Sequence, residues 1–116
     1  MDPHLQLALF HVIIISPLFL YVGLFREDVP ESVFYTVGAL GLVIAAYHAF
    51  KAYTKILAGK SPWVNLIHIF LVAPVLIILG IYGKNSSRKF FEMLLILGFA
   101  SLGYHALSII RDTAAR

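Results

Sequence analysis

The sequence predicts an all-α integral membrane protein, four transmembrane helices arranged as two tandem helical hairpins in an antiparallel four-helix bundle. Three observations lead there. The 116 residues are 60% hydrophobic and only 13% charged, with a mean hydropathy of +0.89, which leaves too little polar surface to coat a water-soluble domain. Four apolar stretches, roughly residues 3 to 26, 32 to 55, 62 to 82 and 88 to 110, are each long enough at about 1.5 Å per residue to cross a hydrocarbon core of about 30 Å. The chain also repeats itself after 57 residues, which pairs the first two stretches with the last two.

The first stretch opens at Asp2-Pro3, a capping side chain followed by proline at the first helical position, where its missing N–H costs nothing. It lacks the basic leader and small-residue cleavage site of a signal peptide, so a retained helix is expected. Phe25 to Glu31 breaks it from the second stretch, which ends at the connection from Ile56 to Ser61. Ser61-Pro62 opens the third stretch in the same way as Asp2-Pro3, and Gly83 to Lys89 separates it from the fourth. Short connections force antiparallel neighbours, so both termini and the Lys51 to Lys60 connection are expected on one side.

The formal charge of +3 comes from nine Lys plus Arg against six Asp plus Glu. Lys51, Lys55, Lys60, Arg111 and Arg116 fall on the terminal side, and Arg26, Lys84, Arg88 and Lys89 on the hairpin side. That near balance tilts towards cytoplasmic termini, and its placement at span ends suits membrane anchoring rather than nucleic-acid binding. The bilayer is the expected partner, with a homo-oligomer as a further one. The absence of cysteine removes disulfides and thiolate ligands.

The 57-residue offset aligns His11 with His68, Pro17 with Pro74, Gly23 with Gly80, Gly41 with Gly98, and Tyr47-His48-Ala49 with Tyr104-His105-Ala106, without a gap. Matching leucines mean little in an apolar chain, but this set of types at one spacing predicts a duplication within a single membrane domain, 1–116. Repeat one covers 3–57 and repeat two 62–114. Each copy has an even number of spans, so the two should enter the membrane in the same direction, as a parallel repeat.

His11 and His48 both lie roughly 22 to 24 Å from the first hairpin turn at about 1.5 Å per residue, and the repeat places His68 and His105 likewise. Four imidazoles are therefore expected at one depth. Ionisable groups inside a membrane are costly unless paired or facing a cavity. Imidazole titrates near neutral pH, ligates metals and serves as an axial haem ligand. The expected function is thus the binding of a transition metal ion or haem b by His11, His48, His68 and His105. The alternative is a pH-gated proton or cation pathway lined by the same four, and a second alternative is a non-catalytic scaffold. Gly41 and Gly98 are expected to support the site, by admitting a flat cofactor or by letting two backbones approach. Tyr47 and Tyr104 are expected to bond within the layer or to act as interfacial aromatics.

Pro17 and Pro74 sit mid-span, where each should kink its helix by depriving the carbonyl four residues earlier, Ile13 or Phe70, of a donor. They are hinge candidates. No Asp or Glu lies in the middle of a span, which disfavours carboxylate-driven pumping. No nucleophile and base constellation is present, so catalysis is not expected.

Overall fold

The computed structural model describes residues 2–114; Arg116, counted above with the terminal-side charges, lies outside the described residues. At the start of the chain Asp2 caps as expected, its carboxylate accepting the His4 N–H at 3.1 Å. Four helices follow: α1 Pro3–Asp28, α2 Glu31–Leu57, α3 Trp63–Asn85 and α4 Arg88–Ala114, all four long and apolar enough to cross a membrane. All four run a few residues past the expected apolar stretches, to Asp28, Leu57, Asn85 and Ala114, because hydropathy marks the apolar part of a helix and not where its backbone ends.

One boundary differs from expectation. Ser61 does not cap α3, which begins at Trp63. Pro62 takes the cap position instead, and its carbonyl accepts the first helical bond from the Leu66 N–H at 3.0 Å.

α1 and α3 each contain a wide, five-residue π turn, at His11–Ile15 and His68–Val72. The N–H groups of Ser16 and Ala73 close these turns on the carbonyls of His11 and His68, five residues back. Pro17 and Pro74 follow immediately. Sequence alone predicts a kink from the missing donor; the chain inserts a wider turn ahead of each proline, a known way of fitting a residue that cannot complete the four-residue bond.

Each of these helices ends in a 3-10 turn, Arg26–Asp28 and Gly83–Asn85. The first residue of each has positive φ: Arg26 at φ 50°, ψ −117° and Gly83 at φ 54°, ψ −133°. Glycine adopts this backbone freely, whereas an L side chain there costs about 1–3 kcal/mol. Arg26→Gly should therefore raise stability by about 1 kcal/mol, after the extra entropy glycine brings to the unfolded chain. Thermal unfolding in detergent followed by circular dichroism reads this; an unchanged or lower midpoint would mean that Arg26 is not strained.

The bounds of the π turns, the 3-10 turns and the two 27-residue helices α2 and α4 all recur at the 57-residue offset. The compact units follow a different division. One unit, residues 27–90, contains α2 and α3. Here Phe34, Val37, Val75, Leu76 and Leu79 are buried. Gly38 and Gly80 let the two backbones touch: a Cβ built on Gly38 would lie 2.9 Å from the Gly80 Cα.

The other unit takes the chain to Arg26 and from Phe91, so that α1 packs on α4. Gly23 faces Leu95 and Phe91, and Gly98 faces Phe19 and Leu20. Where α1 begins and α4 ends, His4 Nδ1 meets Asp112 Oδ2 at 3.0 Å. Contacts at rising positions in α1 and falling positions in α4 make this pair antiparallel. Each unit is thus one helix from each half of the chain. Large apolar side chains stay exposed in the middle of the helices, among them Ile13 at 61%, Phe70 at 75% and Ile96 at 66%.

Candidate functional site

All four mid-span histidines are half-buried, and they come together as two pairs. In the α2/α3 unit His48 stacks on His68, with ring centroids 4.0 Å apart and planes 14° from parallel. In the α1/α4 unit His11 stacks on His105, at 4.2 Å and 26°. Within each unit the two rings meet at one level. The choice of partner was not readable from the sequence, since each histidine pairs with one from the other half of the chain.

The first-helix histidines open their π turns. His11 Nδ1 donates to the Leu7 carbonyl at 2.8 Å and His68 Nδ1 to the Val64 carbonyl at 2.7 Å. A carbonyl can only accept, so both rings carry hydrogen on Nδ1 and, when neutral, a lone pair on Nε2. His48 is held the other way: its Nδ1 accepts from the Asn65 amide Nδ2 at 2.9 Å. Asn65 is buried at 4% exposure and its Oδ1 has no partner. At the corresponding place in the first repeat stands Ala8, also buried.

Asn65 does not stand out in the sequence because it neither ionises nor recurs at the 57-residue offset. The signal was there: a lone amide inside an apolar span, three residues before a histidine. Ser16, fully buried with no partner for its hydroxyl, does not stand out for the same reason, its counterpart being Ala73.

The supporting residues sort clearly. Tyr47 and Tyr104 are exposed and stand edge-on to the histidine that follows each, both at 5.1 Å and 88°. Gly41 and Gly98 serve packing, because the space beside each is filled. A Cβ on Gly41 would meet Leu76 Cβ at 2.9 Å and the Ala73 carbonyl at 3.1 Å, and one on Gly98 would meet Phe19 Cβ at 3.1 Å. Pro17 is exposed and Pro74 half-buried, each just past its π turn.

Chemically, a face-to-face pair of imidazoles suits protons better than metals. Nitrogen lone pairs lie in the ring plane, so nearly parallel rings direct them along separate planes rather than towards one ion. A bis-histidine haem needs its ligands edge-on across the macrocycle, and rings in face contact leave no gap for one. Among the described residues no three His, Cys, Asp or Glu side chains form a metal-ligand set. A cleft lined by Glu27, Glu31, Tyr35, Lys84 and Asn85 lies at the far end of the α2/α3 unit, about 20 Å along α2 from His48 at about 1.5 Å per residue. The chain matches no protein-family model, no curated protein and no solved structure.

Proposed function

We propose that this chain is an integral membrane protein built from two tandem hairpins, 3–57 and 62–114, and that its paired histidines gate the movement of protons or cations according to pH. The membrane reading rests on four helices of spanning length and on large apolar side chains exposed along their middles, a surface that lipid covers and water does not. The tandem reading rests on the secondary-structure bounds that recur at the same offset as the histidines, prolines and glycines.

The gating reading rests on one observation, the two imidazole stacks at 4.0 and 4.2 Å. Two imidazolium cations that close repel strongly where screening is weak. A stack therefore holds with at most one ring charged and parts when both take protons. Imidazole changes charge in the physiological range, which makes this contact a natural pH-operated closure.

Purified protein in liposomes should pass protons or monovalent cations several-fold faster at about pH 5.5 than at about pH 7.5, the interval over which imidazole titrates. Flux equal to that of empty liposomes throughout would remove the reading. Stoichiometric metal or a Soret band in protein expressed with iron, haem, zinc and copper available would return it to a metal- or haem-binding bundle.

A further inference from the structure

The two stacks differ in one neighbour. Asn65 donates Nδ2 to His48 Nδ1 at 2.9 Å, while position 8 in the other unit offers only a methyl group. A ring whose Nδ1 accepts carries its neutral hydrogen on Nε2, and a ring whose Nδ1 donates carries it on Nδ1. His48 and His68 are therefore opposite tautomers in one stack, the first set by Asn65 and the second by the Val64 carbonyl. Asn65 Oδ1 meanwhile is buried and unpartnered, an arrangement native structures seldom keep without a use.

We infer that Asn65 is a positioning residue that fixes His48 as the Nε2–H tautomer and makes Nδ1 the atom at which His48 takes its proton. The step needs one solvent proton and a turn of one carboxamide. The Nδ2–H···Nδ1 bond breaks, Nδ1 gains the proton, and the reversed amide presents Oδ1 to accept from it. The new bond is charge-assisted and stronger than the one it replaces. Within this unit the titratable groups near His48 are His68 stacked on it, Tyr47 edge-on to it and Lys51 one turn along α2. From α3 only His68 is close, since Tyr82 and Lys84 lie at the other end of that helix. No carboxylate on either helix competes for the proton at this level.

The inference rests on the proton reading of the stacks, but its test does not need ion movement. Full-length protein labelled with 15N-histidine in lipid vesicles reports each ring nitrogen separately. Above about pH 8, where imidazole is neutral, His48 should show protonated Nε2 and bare Nδ1, with His68 the reverse. Asn65→Asp supplies a group that only accepts, so His48 should switch to protonated Nδ1. Asn65→Ala removes the donor to Nδ1, so the His48 Nδ1 signal should shift, while an unchanged His68 spectrum shows that the fold is intact.

Protonated Nδ1 on neutral His48 in the unaltered protein would overturn the inference, and so would an Asn65→Ala spectrum identical to it. The unaltered protein decides alone should a variant not fold. A silent flux assay with the expected tautomers would remove gating and leave the role of Asn65 standing.

Discussion

Gly80→Ala should lower stability by about 1–3 kcal/mol, the range for overpacking a closely fitted interior, and Gly80→Leu should prevent α2 and α3 from pairing. A Cβ at Gly80 would overlap the Gly38 Cα and lie 3.0 Å from the Gly38 N and 3.3 Å from the Phe34 carbonyl oxygen. These are backbone atoms and cannot rotate away, so the helices must separate. Helix propensity favours alanine over glycine by about 1 kcal/mol, so a net loss isolates the contact.

The repeat supplies a matched control. At the corresponding position 23 a Cβ would meet Leu95 Cγ at 2.6 Å and Cδ2 at 2.9 Å, with the Phe91 carbonyl at 3.0 Å. Most of that crowding comes from a side chain with other rotamers available, so Gly23→Ala should cost about 1 kcal/mol or less. Thermal unfolding in detergent, compared between the two variants, tests the ordering. Gly80→Ala as stable as the unaltered protein, or less harmful than Gly23→Ala, would mean that the Gly38–Gly80 approach does not set how close the two helices come.

That pair also shows where sequence reasoning stopped. Gly23 and Gly80 were visible as repeat partners, but Gly38 has Leu95 as its counterpart. The repeat therefore does not mark Gly38, although its backbone closes directly on Gly80. Helix lengths were legible because hydropathy and rise per residue fix them, and the same counting puts the two rings of each stacked pair at matching heights. Pairing was not, because counting along a helix gives height and not azimuth or neighbour. The π turns escaped because a proline tells only that a donor is missing, while the way the backbone redistributes the loss depends on packing. Asn65 escaped because its importance lies in departing from the repeat.

The largest functional effect should come from the histidine rings themselves, and its sign should depend on what replaces them. The combined substitution His11→Phe, His48→Phe, His68→Phe and His105→Phe keeps an aromatic ring at each place and removes every proton site. If the stacks close a pathway by contact and open it by charge, this variant should stay closed, its flux at about pH 5.5 within about twofold of its value at about pH 7.5. His11→Ala with His105→Ala removes the rings of one stack and leaves space, so its flux at about pH 7.5 should rise towards that of the acidified unaltered protein. Loss of structure alone predicts the same sign for both changes, and circular dichroism identifies a variant that has unfolded. The reading fails if folded Phe and Ala variants move neutral flux in the same direction, or if the Phe variant keeps the acid response. Asn65 belongs in the same experiment: with phenylalanine at position 48 its amide loses its acceptor. The fourfold Phe variant should therefore be made with Asn65→Ala as well, so that a buried unpaired amide, worth about 1–3 kcal/mol, does not obscure the comparison.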